Sequence, residues 1–294
     1  MNYKNLFLAL LTFGTITVSA QSNLLNAKTP DQIGKKSEAQ MNSDNDKPLP
    51  YGYVDDRDVL FGKTVWEIID LDERVNFPMY YPIDESLGDN RIALYTVLVN
   101  GIRDGRITDV YDSSYFTTKK SLKDIEASLV KVDTTDGGID QINAGETLSE
   151  EYINKTELKA IDVDGYRIVG RWYFDKRQGE LKYRMLGICP IIPDVYTMGS
   201  DEKDYIDLFW VFFPSVRDVL HESYAFNDKN SSAPISFDHL LNARRFNATI
   251  YQEENVQGDR KISEYMKENA QMQLLESERV KEKIRNFEQD MWSY

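Results

Sequence analysis

Apolar positions in the first third of the chain recur at helical spacing. Val65, Ile68, Leu71 and Val75 fall three or four residues apart, so 64–76 reads as a helix that Pro78 ends. Thr64 with Glu67 three residues on has the form of a capping box, and Asp70 precedes Arg74 by four in the stabilising acid-first order. Ile92, Tyr95, Leu98, Val99 and Ile102 predict a second helix over 90–103, closed by Gly105. A short strand is expected over 107–111. Ser121 and Asp124 then open a third helix with Leu122, Ile125 and Leu129 on one face. Residues 133–145 read as a loop turned by Asp136-Gly137-Gly138.

Beyond that loop the pattern shifts toward β structure. Segments 166–175 and 181–192 flank a turn at 176–180 and predict a hairpin. Residues 205–213, YIDLFWVFF, read as one buried strand ended by Pro214, which suits the first position of a helix running to 223. A helix over 236–246 and a strand over 248–252 follow. From Arg260 onward there is no Gly or Pro, and Val280, Ile284, Phe287 and Met291 form an apolar seam on a charged helix. The seam weakens at Asn269 and Gln273, which argues against a long coiled coil and for docking on the domain or on a partner. Helices and strands mix without βαβ alternation, so the expected class is α+β.

The ends read differently. Lys4, an apolar run from Leu6 to Phe13 and Val18-Ser19-Ala20 make residues 1–20 a secretory signal peptide cleaved before Gln21. Residues 21–54 form a polar arm broken by Pro30, Pro48 and Pro50. The core domain is expected over 55–255 and a docking or partner-binding helical segment over 256–294. Charge is strongly acidic, with 35 Lys and Arg against 49 Asp and Glu and a formal net charge of −14. Loss of Lys4 with the leader deepens it by one. Such a surface repels phosphates and anionic lipid and suits a basic protein partner. A lone cysteine, Cys189, leaves an exported chain without a disulfide framework.

Chemical motifs are thin. Gly62-Lys63-Thr64 resembles the end of a phosphate-binding loop, but Arg57 stands where that loop needs glycine, so a turn plus a helix cap is the better reading. Asp162-Val163-Asp164-Gly165 lacks the first and last ligands of a calcium loop, where Ala160 and Arg171 stand, and reads as a hairpin turn. Cys189, among Ile188, Pro190, Ile191 and Ile192, reads as a buried, inert thiol. His221 and His239 lack the neighbours of a metal site, so neither a cofactor nor a zinc site is expected. A carboxylate-only cation site remains open in 201–207.

The acidic stretch VWEIIDLDERV, with its tryptophan, invites two readings. Glu67, Asp70 and Glu73 are the acids a hydrolase would use. As a capped helix, the same stretch leaves Asp72 and Glu73 facing solvent or a partner. Trp66, Trp172, Trp210 and Trp292 raise a third possibility, a carbohydrate-binding module, which needs exposed rings. The expected interaction residues are Asp72 and Glu73 on this stretch and Val280, Ile284, Phe287 and Met291 on the C-terminal seam.

Trp66-Glu67-Ile68-Ile69-Asp70, Glu73-Arg74-Val75-Asn76 and Pro78 together are similar to the opening signature of the GldN/PorN family. The order continues through Arg171-Trp172-Tyr173-Phe174-Asp175, Leu208-Phe209-Trp210-Val211 to Arg217, Arg244-Arg245-Phe246 and Ile250-Tyr251. It closes with Asn255-Val256, Arg260-Lys261-Ile262 and the terminal Glu288 to Trp292. Family members carry a more basic run where this chain has Leu71-Asp72-Glu73-Arg74. The resemblance implies a periplasmic, non-enzymatic subunit of the gliding motility and type IX secretion machinery of Bacteroidota. It would self-associate in a ring with a GldK/PorK-like outer-membrane lipoprotein, at the inner face of the outer membrane, and connect to GldL/GldM-like inner-membrane motor proteins.

Overall fold

The computed structural model describes residues 47–83, 92–143, 150–197, 204–226, 235–267 and 269–292. The predicted leader, the arm up to residue 46 and Asp201 to Lys203 lie outside them. Residues 48–85 and 91–294 make one compact unit, and the fold below is that unit.

The stretch expected as the first helix is a strand. β1 (Val59–Asp70) is the second strand of an antiparallel sheet and pairs along its length with β5 (Gly165–Asp175). The reason lies in which residues are covered. Val65, Glu67 and Ile69 point to one side of the sheet and Trp66 to the other, and all four are buried. A strand covered on both faces shows no polar–apolar alternation, and its apolar positions then also fit a helical count. Gly62-Lys63-Thr64 lies within the same strand rather than in a turn with a cap. Pro78 does not end a long helix. It occupies the first turn of α1 (Phe77–Tyr80), where its missing N–H costs nothing.

The sheet runs β11–β1–β5–β6–β8–β2, where β6 is Glu180–Pro193, β8 is Trp210–Phe212, β11 is Thr249–Glu253 and β2 is Val110–Tyr111. β5 and β6 form the expected hairpin, closed by Gly179 at φ 67. The single strand expected over 205–213 is interrupted. β7 (Tyr205–Asp207) and β8 both pair with β6, Asp207 opposite Ile191 and Val211 opposite Ile188. The chain thus spends one extra residue between them. That bulge turns both Leu208 and Phe209 into the core.

The main core lies on one face of the sheet. Tyr166, Ile168 and Ile188 pack there with Leu94 and Leu98 of α2 (Leu94–Arg103), and with α5 (Phe213–Glu222) and α6 (Phe237–Asn242). α2 begins four residues later than the expected 90–103 and ends before Gly105, whose φ of 71 favours glycine. α3 (Leu122–Leu129) carries the predicted Ser121–Asp124 capping box. It leads into a small hairpin of β3 (Val130–Thr134) and β4 (Ile153–Glu157). Between these strands, Asp136-Gly137-Gly138 begins α4 (Asp136–Asn143), so the expected loop is largely helical. A second small hairpin pairs β9 (Tyr224–Ala225) with β10 (Ile235–Ser236).

The opposite face carries a thinner layer in which Trp66, Val169, Cys189 and Trp210 pack under Tyr111, Phe116 and Tyr251. A third cluster joins Val65 and Ile250 to Ile262 of α7 (Ile262–Tyr265) and to Val280 and Ile284 of α8 (Ala270–Trp292). The helical run from residue 260 is therefore two helices. Asn269 accepts from the backbone N–H groups of Gln271 and Met272 at the start of α8, and the Gln273 amide donates to the Met266 carbonyl at 2.8 Å. The two residues that weaken the seam in sequence are the ones that start α8.

At the other end, Tyr51 fastens the segment that precedes the sheet. Its ring lies over the guanidinium groups of Arg217 (4.3 Å) and Arg184 (4.7 Å), and its hydroxyl donates to Asn242 at 2.8 Å. Arg217 is itself held by two hydrogen bonds to buried Asp238.

Candidate interaction surface

The acids of β1 and the turn after it part company in space. Glu67, 1% exposed, accepts two hydrogen bonds of 2.9 Å from Arg244. The guanidinium lies 4.1 Å from the Tyr183 ring centroid and 5.2 Å from those of Trp172 and Phe246. The site depends on two unusual backbone positions. Arg244 sits at φ 49, which ends α6 at Asn242, short of the expected 246, and turns the side chain back toward the sheet. Gly170 lies under Tyr183, where any Cβ would overlap the phenol. Burial works against the charge on Arg244, but hydrogen bonding to Glu67 and its opposite charge outweigh burial and hold the guanidinium pKa above its ordinary value. Burial beside Glu67 raises the Tyr183 phenol well out of the physiological range.

The turn after β1 is built on side-chain contacts. Asp70 accepts from the Asp72 backbone N–H at 2.8 Å. Asn76 donates to the Asp70 carbonyl at 2.6 Å and to the Asn247 carbonyl at 3.1 Å, and accepts from the Asn247 backbone N–H at 2.9 Å. Glu73 accepts from the Asn247 side chain at 2.7 Å. Of the two acids expected to face a partner, Asp72 is exposed and Glu73 is half-buried with a partner of its own. Asp162-Val163-Asp164-Gly165, expected as a hairpin turn, instead run from the end of a short 3-10 turn (Ala160–Asp162) into β5, which begins at Gly165.

These two loops enclose a shallow groove whose floor is Leu71, Val163 and Pro193. Tyr80, Ile161 and Tyr205 stand along it, with Asp72, Asp162 and Asp164 between. Ile161 and Tyr205, on its rim, are 54% and 50% exposed. Asp164 titrates above the usual carboxylate range, first from desolvation and then from the charges of Asp70 and Asp72.

The C-terminal seam is mostly spent within the chain. Val280 and Ile284 are buried against β1 and β11, and Phe287 stacks on Phe61 with centroids 4.3 Å apart. Met291 is half-buried. Ser277, fully buried, accepts from the Ile250 backbone N–H at 2.8 Å, so α8 caps part of the free edge of β11. Met272, Leu274 and Leu275 remain exposed near the start of α8, and sequence periodicity does not single them out.

The remaining candidates fall to structural roles. Cys189 is buried and its thiol is pushed well above its ordinary pKa by desolvation. Asp207, at the edge of the possible cation site, pairs with Arg167. Among the described residues no cluster of three or more metal-ligating side chains occurs. Trp66 and Trp210 are buried and Trp172 lies against Arg244, so these rings do not make the exposed platform a carbohydrate module needs.

A family model described as gliding motility associated protein GldN matches residues 54–293. The chain belongs to the GldN family. The match takes in the whole sheet, α8 and the Glu67–Arg244 pair. Of the blocks that carry the resemblance in sequence, some fall on β1, β5, β8 and the α6–β11 connection, and the others on the turn into α1, the stretch from Asn255 to Ile262 and the end of α8. No curated protein matches the chain. Membership of the GldN family makes it a gliding-motility-associated protein.

Proposed function

We propose that this GldN-family chain is a non-enzymatic structural subunit of the type IX secretion and gliding machinery. It works in the periplasm after loss of its leader, bound to the inner face of the outer membrane through a GldK/PorK-like lipoprotein. With that lipoprotein it forms a ring, and the ring connects to GldL/GldM-like motor proteins of the inner membrane. The family match across 54–293 is the observation that carries this reading. The fate of the carboxylates supports contact over catalysis. Glu67 is sealed against Arg244, Asp70 holds the next turn and Glu73 holds Asn247.

Affinity purification of the tagged chain from the cell envelope, followed by particle sizing, tests the proposal. The expected result is a large particle containing an outer-membrane lipoprotein. A strictly monomeric chain with no envelope partner would overturn it.

A further inference from the structure

We propose that the groove between the β1–α1 turn and residues 160–164 docks a basic, partly apolar segment of a partner protein. The inference rests on the assembly reading and gives that partner a chemistry.

Three observations converge on this groove. Its floor is apolar, and on its otherwise polar rim Ile161 and Tyr205 present half or more of their surface to solvent. Isolated exposed apolar residues need no explanation, but here they gather around one concavity. Second, the polar groups in it carry a single sign. Asp72, Asp162 and Asp164 line it, Asp70 adds its charge to Asp164, and among the described residues no lysine or arginine pairs with any of the four. Neutral donors answer part of this charge, Tyr205 at Asp164 and the backbone N–H groups of Lys159 and Asp72 at Asp162 and Asp70, and a cation from outside relieves the repulsion that is left. Third, the walls are firm. Tyr80 donates to the Ile161 carbonyl at 3.0 Å, the Asp162 carboxylate accepts from the Lys159 backbone N–H at 2.8 Å, and Asn76 ties the facing turn to Asn247. A preformed groove spares a ligand the cost of ordering it.

Charge complementarity selects the occupant. Arginine or lysine side chains meet the aspartates while their stems and an intervening aliphatic residue lie on Ile161, Val163 and the tyrosine rings. An anionic lipid surface meets the wrong sign, and a second copy of so acidic a chain brings more repulsion than attraction.

The test uses the chain from Gln21 onward and a short fluorescent peptide of alternating arginine and leucine. Matched glutamate–leucine and arginine–glycine peptides serve as comparisons. Asp72→Lys with Asp164→Lys is expected to weaken binding of the arginine–leucine peptide about tenfold, equivalent to about 1.4 kcal/mol. Glu126→Lys with Glu282→Lys changes net charge equally on exposed helix positions and should leave affinity within about twofold. Ile161→Ser, which alters no charge, is expected to weaken binding severalfold, and thermal melts confirm that each variant folds.

Equal weakening by both double variants would overturn the proposal, as would arginine–glycine binding as tightly as arginine–leucine, or no peptide binding at all. So would self-association of the chain, seen by sedimentation, that only the groove variants abolish. Groove-specific peptide binding without an envelope partner sinks the assembly reading alone. An envelope particle without groove-specific binding sinks the groove alone.

Discussion

Glu67 and Arg244, 177 residues apart in the chain, meet through two hydrogen bonds of 2.9 Å and join the first long strand of the sheet to the end of α6. Removing one partner of such a pair strands the other charge in a place built to exclude water. Glu67→Gln is therefore expected to cost about 3–5 kcal/mol in urea unfolding, whereas Glu67→Met with Arg244→Leu should recover much of that loss. A single variant within about 1 kcal/mol of the parent would show that the pair contributes little.

Ser277 tests the hold of α8 on the sheet. Ser277→Ala changes volume little but leaves the Ile250 N–H without its acceptor, at an expected cost of about 1–3 kcal/mol. Hydrogen exchange should show faster exchange at the Ile250 amide than at its neighbours in β11. Unchanged protection there would mean the hydrogen bond is dispensable.

Tyr51 is the fastening of residues 47–53. Tyr51→Phe loses only the hydrogen bond to Asn242, while Tyr51→Ala also loses both cation–π contacts, each worth about 0.5–2 kcal/mol. Limited trypsin digestion should cut after Arg57, whose following residue is not proline, fastest in the Ala variant and at an intermediate rate in the Phe variant. The melting temperature should move less than the cleavage rate does, because the sheet does not run through this segment.

Asp164 gives a pH dependence with a definite sign. Its folded pKa is raised by burial and by Asp70 and Asp72, so the folded chain holds this proton more tightly than the unfolded chain. The contribution to stability is complete below the unfolded value of about 3.9 and is lost as pH rises through the folded value. Asp164→Asn should therefore raise the melting temperature at neutral pH, with the gain shrinking to nothing as pH falls toward 4. A gain that persists unchanged in acid would point to packing instead of charge.

The elements legible in the sequence are those whose signals are local. The β5–β6 hairpin shows its apolar runs and its turn, α3 shows its capping box, and α5 shows Pro214 at its start. β1 misleads because its meaning is non-local. Glu67 takes its place from Arg244, and Trp66 from a Ser114 hydroxyl that accepts its indole N–H at 2.9 Å, neither of which periodicity within residues 59–70 can reveal. Arg244 likewise ends α6 early for the sake of a contact far away in sequence. The C-terminal seam is legible as apolar, but the sequence does not say which surface covers it, and for Val280, Ile284 and Phe287 that surface is the chain's own sheet. The groove escapes sequence reading for the same reason, since its two walls come from residues some ninety positions apart.

The placement of β1 also bears on the order in which the molecule can be made. Its neighbours are β5, which begins at Gly165, and β11, which ends at Glu253. A chain emerging from its N-terminus must therefore carry an unpaired, apolar first strand until β5 has arrived, and one with an open edge until β11 follows much later. Such long-range closure is slow and leaves the strand open to wrong partners meanwhile. A chain shortened before Thr249 would keep that vulnerability permanently, losing at one stroke a strand, the helix behind it and the cover over Val65.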